Sequence, residues 1–405
     1  MRAYLSTPPR RSLATTRLLR AGALLASLAS VVAACSVNAN PPGLKASTAA
    51  TSGGVGGAGG DELLGVGGSK APPPDAGDLC GQLITQVHKD PPNIYFVLDT
   101  SGSMATPVGA STRYRLVQAA AIELVKNIGG LINVGAALFP FASGADQCHV
   151  GGEVLPVTAG DALDISKFAK LTTVQPNGGT PTAATLAALY PTLTKLPGRT
   201  IVVLATDGGP NCGAIASCGA EDCMNNIESV PSSAGACTPT GPSCCGPKTE
   251  EGAINCIDRK ASIDAVAKLA AAGVRVYVVG VPGSETYGAV LDQMAIVSGA
   301  PQIAPPFYYK VQDYSSLAGT LGSIAALEVS CTFDLETPPP DASLVNVYLD
   351  DEVIPRDAVD GWAWELVYNG GPQHAIELRG DACKRLKSGQ VKQVQIAAGC
   401  PTVAN

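Results

Sequence analysis

After a polar first residue, 93–98 (NIYFVL) and 200–205 (TIVVLA) run continuously apolar and are rich in β-branched or aromatic side chains. Each runs directly into a polar turn that carries an aspartate, Asp99-Thr100-Ser101-Gly102-Ser103 after the first and Thr206-Asp207-Gly208 after the second. A strand without a polar face has to be covered on both sides, which is the situation of a strand inside a parallel sheet sandwiched between helices. The flanking pattern agrees. Leu116, Ala120, Leu124 and Ile128 fall at helical intervals within 113–128, and further helices are predicted over 161–172, 182–196, 260–272, 287–298 and 314–327. Strands are predicted over 132–141, 153–158 (an edge), 274–281 and 307–311. The chain therefore reads as α/β, a doubly wound, mostly parallel central sheet flanked by helices. In open sheets of this kind ligands sit beyond the carboxyl ends of the strands, where both aspartates fall.

The turns carry chemistry of their own. Asp99, Ser101 and Ser103 form a D-x-S-x-S run, whose alternating positions on a tight loop can turn one carboxylate and two hydroxyls towards a point. These are hard oxygen ligands suited to Mg²⁺, Mn²⁺ or Ca²⁺. Gly178-Gly179-Thr180-Pro181-Thr182 adds a threonine hydroxyl on a glycine-rich loop, and Asp207 adds a second carboxylate. D-x-S-x-S, then G-G-T, then T-D-G, in this order and at these spacings, resembles the metal-ion-dependent adhesion site of von Willebrand factor A-type (VWA) domains and integrin inserted domains. The resemblance implies that Ser101 and Ser103 ligate a divalent cation directly, Thr180 directly in the ligand-engaged form, and Asp99 and Asp207 mostly through water, with Mg²⁺ the leading candidate ion. A cation held mainly by neutral hydroxyls keeps residual positive charge and an open position. That favours an Asp or Glu carboxylate from a protein partner, or a carboxylate-bearing polymer. The alternative is a structural envelope protein whose cation only stabilises the fold.

The N-terminal region addresses the chain. Residues 1–34 hold five arginines and no acid, so their removal takes the net charge from −7 to −12. Residues 21–34 are an apolar run of 14 ending at Cys35, too short to span a bilayer comfortably but fitting the hydrophobic region of a signal peptide. Val32-Ala33-Ala34-Cys35 resembles a bacterial lipobox, which implies cleavage before Cys35 and its lipidation, with a plain secretory signal as the alternative. Arg10-Arg11 leaves Sec and twin-arginine export both open. Residues 35–79, rich in Gly, Ser, Ala and Pro, cannot bury a core and read as a tether with a reach of roughly 35–40 Å. Ser36 after the lipidated cysteine implies, by resemblance to lipoprotein sorting, the outer membrane. The acidic mature chain offers no footprint for nucleic acid.

Thirteen cysteines fit an oxidising compartment. Setting Cys35 aside leaves twelve. Seven of these, Cys212, Cys218, Cys223, Cys237, Cys244, Cys245 and Cys256, crowd a proline-rich insertion over 212–256, where cross-links stand in for a core. Seven is odd, so one should pair outside it, with Cys80 or Cys148 as candidates. A zinc cluster is the competing reading, although no C-x-x-C pair occurs.

Residues 80–328 thus read as a domain resembling the A-type family, with its insertion, and 329–405 as a small, β-rich module. There, short segments at 331–335, 343–349, 362–368, 375–378 and 390–396 alternate with turn residues. Trp362 and Trp364 share one face and read as core, and Cys331, Cys383 and Cys400 are available to staple the module. An enzyme finds little support. His88, His149 and His374 lie in separate regions, no G-x-S-x-G or H-E-x-x-H pattern is present, and the only nucleophile–base neighbours of note are Cys148 and His149. A hydrolase with an unrecognised site remains as the lesser alternative.

Overall fold

The computed structural model describes residues 82–84, 86–88, 90–141, 147–213, 218–224, 227, 245, 252–365 and 374–404. The signal segment, Cys35, the tether, Cys80, Cys237 and Cys244 lie outside the described residues. The core is a six-stranded sheet of β1 (Asn93–Asp99), β2 (Asn133–Phe139), β3 (Gly152–Ala159), β4 (Thr200–Thr206), β5 (Arg275–Gly280) and β6 (Tyr309–Lys310). Its spatial order is β3-β2-β1-β4-β5-β6, parallel throughout except for the antiparallel pair β2 and β3. This is the doubly wound order, with its reversal point between β1 and β4.

Both faces of the sheet are covered. Helices α1 (Arg113–Ile128), α2 (Ile165–Leu171), α3 (Thr182–Leu193), α4 (Arg259–Ala271), α5 (Gly288–Val297) and α6 (Tyr314–Glu328) follow in chain order. Alternation along β1 feeds two separate cores. Ile94, Phe96 and Leu98 pack with α1 and α6, while Tyr95 and Val97 pack with α3, α4 and α5. All five are essentially inaccessible, as a strand buried on both faces requires.

Several boundaries differ from the sequence reading for local reasons. Helix α2 starts four residues late because Asp164 caps it, accepting from the N–H groups of Ser166 and Lys167 at 2.8 and 3.3 Å. Strand β2 stops before Pro140, which has no N–H to donate. Strand β3 tolerates Pro156 and register shifts because it is an edge. No helix among the described residues is long and apolar enough to cross a membrane.

The C-terminal module contains two four-stranded antiparallel sheets built from β7 (Thr332–Leu335), β8 (Val345–Leu349), β9 (Glu352–Ile354), β10 (Trp362–Trp364), β11 (Ala375–Leu378) and β12 (Val394–Ala398). Each sheet takes one further strand from the start of the domain. Gln82–Ile84 pairs with β12 and Gln86–His88 pairs with β7, so a boundary at residue 329 leaves the module two edges short. Three-residue strands carry too little periodicity to be read from sequence. Helix α7 (Gly380–Lys387) also went unread; it buries Ala382 and Leu386. Trp362 and Trp364 are core, edge to face at 5.6 Å. The staple joins Cys331 to Cys383, and Cys400 is disulfide-bonded as well.

Candidate cation site

The carboxyl ends of β1 and β4 place Asp99 and Asp207 on either side of the reversal point. After β1 the chain turns through one 3₁₀ turn (Gly102–Ala105), which points Ser101 and Ser103 the same way, with their hydroxyl oxygens 3.2 Å apart. Ser103 Oγ donates to Asp207 Oδ1 at 2.8 Å. Asp99 braces the loop. Its Oδ1 accepts from the Ser101 N–H at 2.8 Å and its Oδ2 from the Thr206 hydroxyl at 2.5 Å.

The glycine-rich segment closes the third side. Gly102 N–H donates to Gly178 O at 2.8 Å and Asn177 N–H to Thr100 O at 2.9 Å, which seats the G-G-T loop on the D-x-S-x-S loop. Gly178 lies in the left-handed region at φ 88°, and a Cβ on Gly179 would sit 2.5 Å from Cys212 Sγ, so both positions need glycine. A Cβ built on Gly208 would lie 3.8 Å from Thr180 Oγ1 and 3.9 Å from both Ser103 Oγ and Thr206 Oγ1. Three hydroxyls from three chain segments therefore surround one backbone position. The five residues singled out by sequence are brought together, and all are buried.

Two residues that sequence reasoning did not single out complete the arrangement. Asn211 is inaccessible and clasps the G-G-T loop twice. Its Oδ1 accepts from Thr180 N–H at 2.6 Å, and its own N–H donates to Thr180 O at 3.0 Å. Arg113, the first residue of α1, reaches back over the loop, and its Nη1 meets Asp207 Oδ2 at 2.5 Å and Ser103 O at 3.4 Å. The hairpin Pro107–Val108/Ser111–Thr112 returns the chain to make this possible. Burial pushes the Asp207 carboxyl above its usual range, against the opposing pull of Arg113 and the Ser103 hydrogen bond.

The chemistry of the donor set fits a hard divalent ion, being all oxygen and mostly neutral with two carboxylates. It does not fit zinc held by thiolate. The sulfurs of Cys218, Cys223 and Cys245 lie within 4.8 Å of one another, but these cysteines are consumed in the pairs Cys218–Cys256 and Cys223–Cys245. Cys212 pairs outside the insertion, with Cys148, so that a disulfide ties the G-G-T side of the site to the segment after Asp207. The same bond leaves no Cys148 thiol to act with His149, whose Nδ1 pairs with Val150 O. Parts of the insertion rejoin the fold beside α4, through Asp222 to Arg259 at 2.7 Å and Met224 N–H to Asn255 O at 2.8 Å.

At the level of sequence, neither a protein-family profile nor a curated protein matches the chain. Solved structures do resemble it. The pilus adhesin SpaC from Lactobacillus rhamnosus GG matches at 16% identity and TM-score 0.43 over 77% of this chain. The PilB minor pilin from Streptococcus sanguinis matches at 19% identity and TM-score 0.39 over 59%. The proximal thread matrix protein 1 of the mussel byssus, in a form with zinc in its MIDAS motif, matches at 15% identity and TM-score 0.37 over 61%. This chain spans 40%, 61% and 50% of those proteins' own lengths, respectively.

Proposed function

We propose that this chain is a non-enzymatic lipoprotein of the bacterial cell envelope, anchored at Cys35 in the outer membrane, that binds an acidic group of a protein partner through a divalent cation, Mg²⁺ in the first instance. Ser101, Ser103 and Thr180 supply hydroxyl ligands, and Asp99 and Asp207 balance the charge. The observation that carries this reading is the meeting of the Ser101, Ser103 and Thr180 hydroxyls, from two separate segments, beside two carboxylates at the reversal point of a doubly wound sheet. The cysteine-rich insertion begins at Cys212, five residues after Asp207, and its first cysteine is tied to Cys148 beside the site. The test is capture of partners from an envelope extract with and without Mg²⁺, using the wild type and Asp99→Ala. Capture that requires Mg²⁺ and is lost in Asp99→Ala supports the reading; capture that survives both chelation and the substitution defeats it.

One observation favours a second reading, a cation that only stabilises the fold. The hydroxyl-bearing residues are between 0% and 8% exposed. On that reading chelation lowers thermal stability and leaves partner capture unchanged.

A further inference from the structure

Arg113 is the more exposed partner of the ion pair at the buried oxygen cluster, its side chain 19% exposed where that of Asp207 is 0%. Its guanidinium is built into the site rather than resting on it. Nη1 contacts Asp207 Oδ2 and Ser103 O. Gly283, at φ 103°, lies so close under the guanidinium that any Cβ there would overlap it. Nε is buried without a hydrogen-bond partner. A buried guanidinium donor left unpaired is costly, and it leaves unused part of a planar fork suited to gripping a carboxylate on two oxygens.

Charge counting says what this fork does. Asp99 and Asp207 contribute −2 and Arg113 contributes +1, so the cluster carries −1 without a metal and +1 once a divalent cation enters. A site with the same carboxylates and no arginine would be neutral when loaded. The arginine therefore weakens the site for a cation alone, because Asp207 already has a positive partner, and it leaves a net positive charge for an incoming anion to neutralise.

We propose that Arg113 is the partner-recognition residue of this site: the entering cation takes over the charge of Asp207, and the guanidinium, so released, grips the partner's carboxylate alongside the ion. Cation and carboxylate then bind cooperatively, each raising the affinity of the other by the same factor. The inference rests on the cation reading above and adds to it the residue that makes occupancy depend on the anionic ligand.

The test is calorimetric titration of the full chain with MnCl₂, in chloride and in acetate buffer at equal ionic strength, for the wild type, Arg113→Gln, Arg113→Lys and Asp99→Ala. The wild type is expected to bind Mn²⁺ more tightly in acetate than in chloride. Arg113→Gln is expected to bind Mn²⁺ in chloride roughly tenfold more tightly, the scale of a water-screened repulsion between divalent and univalent charges about one side chain apart, and to lose the acetate effect. Arg113→Lys, which keeps the charge and with it the ion pair that supports the fold, is expected to keep the weak chloride affinity and lose most of the acetate effect. If Asp99→Ala abolishes Mn²⁺ binding while Arg113→Gln and Arg113→Lys titrate like the wild type in both buffers, the role of Arg113 is overturned and the cation site stands. If Asp99→Ala leaves Mn²⁺ binding unchanged, the cation reading itself has failed and this inference falls with it.

Discussion

Replacing Asn211 by alanine separates the scaffold of the site from its ligands. The side chain accepts the Thr180 N–H at 2.6 Å in a place where Asn211 is 0% and Thr180 1% exposed, so the truncated protein leaves a buried amide donor without this acceptor. An unsatisfied buried donor costs about 1–3 kcal/mol, and the space left by the amide adds to that. The loss should fall in the same range and show as a lower urea midpoint with an unchanged slope. Because the Thr180 loop is also released from its clasp, divalent cation affinity should fall with it. Thr180→Ala is the matched control. It deletes the hydroxyl but keeps the backbone pair with Asn211, so it should weaken the cation while costing less than about 1 kcal/mol of stability. Equilibrium urea unfolding and Mn²⁺ titration on both variants suffice. If Asn211→Ala loses less than about 0.5 kcal/mol and binds the ion like the wild type, the clasp does not organise the site.

Three further outcomes follow from the same geometry. The Cys148→Ser/Cys212→Ser double variant opens a link between residues 64 apart in sequence and should destabilise the protein by about 4 kcal/mol on the chain-entropy relation, measured by denaturation; a loss under about 1 kcal/mol contradicts that. Trp362→Ala removes the largest fully buried side chain and should cost about 3–5 kcal/mol; a near-normal denaturation midpoint would show that the module does not depend on this ring. Burial holds the His88 imidazole below its usual 6.5, with its ring edge to face against Phe333. The unfolded chain therefore takes up a proton before the folded one does, and the stability owed to neutral His88 is complete above pH 6.5 and declines as pH falls below it. His88→Gln should flatten the stability profile below about pH 6.5; an unchanged slope there would exclude His88 as its source.

The central sheet and the meeting of Asp99, Ser101, Ser103, Thr180 and Asp207 were legible because they depend on local signals: unbroken apolar strands, glycine at turns, and oxygen-bearing side chains at fixed offsets after a strand. Arg113 and Asn211 were not, since both act across distances that one sequence does not encode. Arg113 looks like the first residue of an amphipathic helix, and only the hairpin over 107–112 shows that it is folded back onto Asp207. Asn211 follows Pro210 and precedes Cys212 in what reads as ordinary loop chemistry. The odd cysteine in the insertion left two possible outside partners by counting, and the choice of Cys148 came from the proximity of Gln147 and Gly179, joined by a hydrogen bond of 2.7 Å. The two strands at 82–88 were missed because three residues show no period, and α7 because its eight residues follow a turn signal in a stretch that otherwise alternates.

The claim that a divalent cation sits among these oxygens is tested most directly by soaking crystals of the protein in MnCl₂ and calculating the anomalous difference map. A manganese peak bounded by the hydroxyls of Ser101, Ser103 and Thr180 and the carboxylate of Asp207 is expected, and it should be absent from Asp99→Ala crystals. A map with no peak there, or with manganese bound only elsewhere, contradicts it.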